Sequence, residues 1–166
     1  MYEGGCCCSG VRYRVMSDPM FVHCCHCRWC QRETGSAFAV NALIETERVV
    51  LLQGEVDVHV APTQSGSGQR IARCPECRVA LFSHYAYAGI GDAVRFLRVS
   101  TLDDPDVMPP NIHIFTDSKQ DWVTLDAGIP QMAEFYSASK LWPPASLARR
   151  KALFAAKDEA STQGEE

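Results

Sequence analysis

The sequence predicts a mainly antiparallel β domain. Three observations carry that expectation. Short apolar runs with period-two alternation recur along the chain, turn-forming glycine, proline and serine separate them, and long helical patterns are few. The 166 residues fit one domain, and a hydrophobic content of 46% suffices to bury a core.

Residues 4–15, GGCCCSGVRYRV, open with a glycine turn and a cysteine knuckle. They continue as a strand in which Val11, Tyr13 and Val15 alternate, and Ser17, Asp18 and Pro19 end it. Residues 20–32, MFVHCCHCRWCQR, read as a short apolar strand running into a second knuckle, a loop. Strand patterns follow at 38–44, 49–52 and 55–60, the last with Val56, Val58 and Val60 alternating with Asp57 and His59. Residues 62–70, PTQSGSGQR, read as a polar hairpin connection. Ile71 leads to a third knuckle, Cys74-Pro75-Glu76-Cys77, and apolar residues 79–82 come next. Residues 94–99 form another strand pattern, DDPDVMPPN a loop, and residues 112–115 a short strand. Residues 130–136 read as a short helix. The segment 146–157, SLARRKALFAAK, has helical composition, with Leu147, Leu153 and Phe154 loosely on one face. Its basic run Arg149-Arg150-Lys151 reads as a solvated helix face. DEASTQGEE at the end is polar enough to predict disorder. The expected division is thus a domain over residues 1–145 and a short helical segment and tail over 146–166.

Composition excludes several functions. A formal net charge of -4 argues against a broad electrostatic footprint for nucleic acid. No apolar run of membrane-spanning length occurs, so no membrane association is expected. The opening MYEGGCCCSGVRYR lacks the apolar stretch of a secretory signal, which makes the cytoplasm the expected location.

Nine cysteines are too many for packing alone, and seven fall into three short clusters. Disulfides would require an oxidising compartment, and clustered thiols in a reducing one point to metal. Cys6 and Cys8 form a C-x-C pair and Cys74 and Cys77 a C-x-x-C pair. Two thiolates from each turn make a closed tetrahedral zinc site that clamps distant parts of the chain. Cys25, Cys27 and Cys30 supply three thiolates from one short stretch. Three protein ligands and a vacant position describe a catalytic zinc, whereas a fourth ligand would make a second closed site. Cys24, His23, His26, His84 and His113 are the conceivable fillers, and spacing alone does not choose. Cys7 and Cys24 adjoin ligands, and neighbours on a turn or strand point apart, which makes them expected non-ligands, with Cys24 an alternative to Cys25 in the triad. A redox role for C-P-E-C would need a βαβ setting that is missing.

The clusters and their flanks resemble the glutathione-dependent formaldehyde-activating enzyme family, whose domain is shared with centromere protein V. GGCCCSGVRY resembles that family's G-x-C-x-C-G-x-V-R-Y opening. CHCRWCQRETGSAF, CPECRVALF, STLDDP, HIFTDSKQDW and GIPQMAEF follow in order, together covering most of residues 4–136. The resemblance implies an Mss4-like zinc-stitched antiparallel fold and two zinc ions per chain. It places Cys6, Cys8, Cys74 and Cys77 on a structural zinc and Cys25, Cys27 and Cys30 on a catalytic one, which favours the open reading. It also implies an activity, condensation of formaldehyde with glutathione to S-(hydroxymethyl)glutathione, a carbon–sulfur lyase reaction run in reverse. The partners expected are therefore a small thiol such as glutathione and a small aldehyde. Two competing readings keep the scaffold: an enzyme acting on another small electrophile or thiol, and a non-catalytic zinc module with a protein or chromatin partner, the latter disfavoured by the net charge.

The chain departs from the family at Ser9 and Arg78, where glycine is usual. Glycine there relieves a positive φ, so Arg78 is expected in a strained or shifted turn. His26, Arg28, Gln31, Arg32 and Thr34 lie near the open cluster in sequence. Arg28 or Arg32 could pair with a glutathione carboxylate, against the plainer reading of solvated loop residues. Trp122 reads as core and His113 as a hydrogen-bonded structural residue, at least as well as functional ones. Phe38, Tyr85 and Tyr87 are candidates to line a pocket, although strand aromatics usually belong to the core.

Overall fold

The computed structural model describes residues 1–63, 66, 68–85 and 91–163, with side chains described to residue 156. Tyr87 lies outside the described residues, as does part of the hairpin connection at 64, 65 and 67.

The predicted β class is what folds. A small antiparallel sheet has the order β1 (Tyr2–Gly5), β2 (Arg12–Val15), β5 (Val49–Gln53). A larger sheet has the order β10 (Ile112–Ile114), β3 (Phe21–Cys25), β4 (Ala39–Glu45), β9 (Val94–Arg98), β8 (Ala80–Tyr85), β7 (Gln69–Arg73), β6 (Asp57–Ala61). Every pairing in it is antiparallel except β10 with β3. Strand β3 is buried along its whole length, as expected of a strand covered on both faces.

Register and alternation sort the side chains of the large sheet onto two faces. Phe21 lies opposite Leu43, His23 opposite Asn41 and Cys25 opposite Ala39. Leu43 and Asn41 in turn face Phe96 and Arg98. One face therefore carries Phe21, His23, Cys25, Asn41, Leu43, Phe96 and Arg98. The other carries Cys24 and also Val22, Ala42, Ile44 and Leu97, which pack with Val11 and with Tyr13 and Val15 of the small sheet into the main core. Helices α2 (Ala138–Leu141) and α3 (Pro144–Gln163) cover the part of the first face around Phe21 and Leu43, where Trp142 stacks on Phe21.

Several expectations change. Strand β1 carries little pattern because two of its residues are glycines. A Cβ at Gly4 would lie 2.4 Å from the Thr101 carbonyl oxygen and 2.5 Å from the Tyr13 hydroxyl, so only glycine fits that pairing. Residues 130–136 are extended, not helical. His113 N–H donates to the Pro130 carbonyl and Met132 N–H to the His113 carbonyl, both at 2.9 Å, so the segment runs beside β10. Those long-range bonds override local helix propensity. Trp122 is 73% exposed and is no core residue. On the edge strand β6, Val58 and Val60 alternate as predicted yet are exposed. Helix α3 runs further in both directions than residues 146–157, from Pro144 to Gln163. Arg149 is not solvated: it binds the buried Glu45 carboxylate and donates to the Asp18 carbonyl at 3.0 Å. Leu147 and Leu153 pack inward, and Arg150 sits over the Phe154 ring. Among the described residues no helix is long and apolar enough to cross a membrane.

Candidate metal centre

Two knuckles bring four thiols together between the sheets. Cys6 and Cys8 sit in the turn from β1 to β2, Cys74 and Cys77 in the turn from β7 to β8, and their sulfurs all lie within 4.8 Å of one another. Cys6 and Cys8 Sγ are 3.4 Å apart, and Cys8 and Cys74 Sγ 3.7 Å. Four sulfurs around a tetrahedral zinc with typical bond lengths would stand about 3.8 Å apart, so the cage has the right size for such an ion. The two turns share a backbone design. Cys6 N–H bonds the Val11 carbonyl and Cys74 N–H the Val79 carbonyl, while Ser9 and Arg78 both adopt φ of 60°. The expected strain at Arg78 is therefore present, and Ser9 shares it. The Val11 N–H donates to Cys6 Sγ at 3.2 Å, and backbone N–H groups of Val79 and Cys8 help lower the Cys77 pKa to about 6. Backbone donors aimed at sulfur favour the thiolate form that binds metal.

The second group is built at a strand-to-helix junction, where sequence reading expected a loop. Cys25 ends β3, and Cys27 is the N-cap of helix α1 (Arg28–Thr34), accepting from the Cys30 N–H at 3.4 Å. Gly35 closes the helix with φ of 65°, the left-handed conformation that favours glycine. The sulfurs of Cys25, Cys27 and Cys30 lie within 4.8 Å of one another. Hydrogen bonds from Cys25 and Cys30 pull the Cys27 pKa down to about 2, and the same contacts together with burial push Cys25 up. The donor set, three thiols beside a helix N-terminus, suits a soft divalent ion.

Among the described residues no fourth Cys, His, Asp or Glu joins this group. Each conceivable filler is engaged elsewhere. His23 Nε2 meets the Tyr136 hydroxyl at 2.5 Å, and His84 Nδ1 the Val94 carbonyl at 3.1 Å. Cys24, His26 and His113 converge on one another and are all buried. His26 Nε2 lies 3.0 Å from His113 Nδ1 and 3.5 Å from Cys24 Sγ. This trio has the residue types of a metal site, but one hydrogen bond between the imidazoles satisfies both facing nitrogens. Metal on His26 Nε2 would instead leave a proton on its Nδ1, which is buried without a partner, whereas ligating imidazoles normally donate that proton. Burial keeps His26 neutral, its pKa lowered to about 4, and lowers that of His113 as well.

The side chains near the three thiols divide sharply. Gln31 is buried: its amide donates to the His26 and Ser118 carbonyls at 2.6 and 2.8 Å and accepts from Arg28 and Gln120, which fixes the knuckle backbone. Arg28 and Arg32 are exposed, and the Thr34 hydroxyl bonds the Cys30 carbonyl within its own helix. Sequence reading missed Glu33, whose buried carboxylate binds Arg98 and Arg73 at 2.5 Å each. Arg98 also donates to Asn41 Oδ1 at 2.5 Å. Helical spacing from Cys30 was the only available signal for Glu33, and it required reading α1 as a helix.

Two hollows lie near the large sheet. One, of about 460 Å³, is lined by Phe38, Val40, Val99 and Met108 among others. The second, of about 210 Å³, lies on the Cys25 face between the sheet and the C-terminal helices, with Tyr85 in its wall.

Residues 1–118 match the family model described as glutathione-dependent formaldehyde-activating enzyme. A protein of Halomonas elongata, provisionally named glutathione-dependent formaldehyde-activating enzyme, is 26% identical over 138 residues, covering 76% of this chain and 82% of its own length. A crystal structure of a Rhodobacter sphaeroides protein is similar at 16% identity with a TM-score of 0.49, covering 65% of this chain and 96% of its own.

Proposed function

The chain belongs to the glutathione-dependent formaldehyde-activating enzyme family, and on that premise we propose that it is a two-zinc carbon–sulfur lyase that joins glutathione to formaldehyde or another small aldehyde. The observation that carries the reading is the pairing of a four-thiol cage with a three-thiol group that no fourth ligand joins among the described residues.

In this reading Cys6, Cys8, Cys74 and Cys77 hold a structural zinc, and Cys25, Cys27 and Cys30 hold a catalytic one. Zinc at the three-thiol group would supply a Lewis acid that either keeps a thiol ionised near neutral pH or polarises a carbonyl. The protein's part is placement. Gln31 ties the knuckle backbone to residues 118–120, and the Glu33–Arg98–Asn41 set anchors α1 to β9 and β4. The bond changes balance without a further reactant. The glutathione sulfur bonds to the aldehyde carbon, the carbonyl π pair moves to oxygen, and that oxygen takes up the proton the thiol gave. All nine cysteines are free, which suits a reducing compartment such as the cytoplasm. Residues 1–145 would carry the chemistry, with 146–166 as a docked helical segment.

Native mass spectrometry with and without glutathione tests the reading. Two zinc ions and a glutathione adduct are expected, and Cys27→Ala should lose one zinc, the adduct and turnover together. One zinc and no adduct in the unmodified protein would replace the lyase with a zinc-bound interaction module.

A further inference from the structure

The geometry points to a second compartment in the substrate site: the aldehyde this protein handles best carries an aromatic or bulky apolar group, housed in the hollow under the C-terminal helices. The inference rests on the lyase reading above and narrows its substrate.

Position is the first argument. His23 forms part of the wall of the 210 Å³ hollow and shares its strand face with Cys25, one two-residue step away, about 6.6 Å along β3. The adjoining wall residues, Leu43 and Phe96, lie on the same face through the β4 and β9 registers. Cys25 and Leu43 belong to one buried apolar cluster, against which Phe96, Cys27 and Cys30 pack. The three thiols and the hollow therefore neighbour one another on one face of the sheet, with the buried His23 between them.

Size is the second. Formaldehyde has one carbon and one oxygen, and a guest of that class needs about 30 Å³, whereas a benzene-sized guest occupies a cavity of about 150 Å³. A hollow of about 210 Å³ is too large for the first and sufficient for the second.

Chemistry is the third. Leu43, Val94, Phe96, Phe135 and Trp142 dominate the lining. Its buried polar atoms are satisfied by one another, since the Trp142 Nε1–H donates to the Tyr136 hydroxyl at 2.6 Å and that hydroxyl meets His23. Among the described residues no carboxylate lines it and Arg150 is its one cation, with the guanidinium over Phe154. Glutathione, with two carboxylates and an ammonium group, would lose hydration there without gaining partners. An apolar substituent gains by the same burial.

The step itself is unchanged: the thiol sulfur adds to the aldehyde carbon, and the thiol proton ends on the resulting hydroxyl as a hemithioacetal forms. The probe is 3-phenylpropanal, a phenyl ring two methylenes from the carbonyl, compared with formaldehyde at fixed glutathione by exchange NMR on the zinc-loaded protein. The expected KM is about 10- to 100-fold lower for 3-phenylpropanal. Ser139→Trp, on the exposed rim of the hollow, should erase that advantage and leave formaldehyde turnover intact. Magnetisation transfer from the phenyl protons to the Trp142 indole gives a readout independent of that variant. Formaldehyde turnover with no preference for 3-phenylpropanal and no transfer to Trp142 would overturn the inference and leave the lyase reading standing. Failure of both aldehydes to react would overturn the lyase reading and this inference with it.

Discussion

Ser9 and Arg78 hold the left-handed conformation at equivalent points of two metal knuckles, each in place of a glycine expected from the family's pattern. For a residue with a Cβ this conformation costs about 1 kcal/mol. The Ser9 side chain offers little in exchange, because its carbonyl, not its hydroxyl, accepts the bond from Gln53. Ser9→Gly should therefore stabilise the protein by about 0.5–1 kcal/mol in urea denaturation with zinc present. Arg78→Gly should gain less, because it removes an exposed ion pair with Asp57, worth at most about 1 kcal/mol. A second residue-scale effect concerns pH. Burial lowers the His23 pKa to about 3, against about 6.5 when unfolded. Above 6.5 neither state is protonated there, and His23 adds no pH dependence. Below 6.5 the unfolded chain binds a proton that the folded one refuses, so stability falls with pH by about 1.4 kcal/mol per unit until pH 3 is approached. Urea midpoints for the unmodified protein and His23→Gln between pH 7 and 5.5 should show the shallower decline in the variant. Parallel declines would mean that His23 titrates alike in both states.

At the scale of elements, legibility followed the range of the interaction. The knuckles could be read because a metal's ligand spacing is written within a few consecutive residues, and strands such as Phe21–Cys25 because alternation is local. Glu33 could not, since its partners Arg73 and Arg98 are brought to it by sheet register. The extended form of residues 130–136 likewise depends on hydrogen bonds to β10 that no local pattern records. Helix α3 shows the same rule. Its apolar face is weak, and what seats it is Arg149 on Glu45, a residue from an otherwise apolar stretch of β4 whose side chain is 4% exposed. Removing one member of a buried pair strands the other charge, so Arg149→Ala should cost about 2–3 kcal/mol, while Arg149→Leu combined with Glu45→Gln should cost clearly less. Equal losses in the two variants, by thermal denaturation, would mean that the packing of the arginine stem seats the helix instead of its charge.

Across the whole molecule, the four-thiol cage joins what the backbone leaves separate. Cys6 and Cys8 lie in a turn of the small sheet and Cys74 and Cys77 in a turn of the large one, and among the described residues no strand pairing links the two sheets. The main core between them is buried around Tyr13, Ile44, Leu81 and Leu97, so apolar contact also holds the sheets together. If the cage supplies the decisive restraint, metal removal should act unevenly. Chelation would then raise amide exchange in β1, β2 and the β7–β8 turn well before β3, β4 and β9, whose amides sit in the middle of the large sheet. Cys74→Ser should reproduce that pattern in the presence of zinc, because one lost thiolate opens the cage while leaving the three-thiol group intact. Cys30→Ser should instead confine the change to α1 and the segment 115–120 that Gln31 ties to it. Uniform exchange across both sheets after chelation would show that the apolar core, not the metal, sets their cooperativity, and would reduce the closed site to a local staple of two turns.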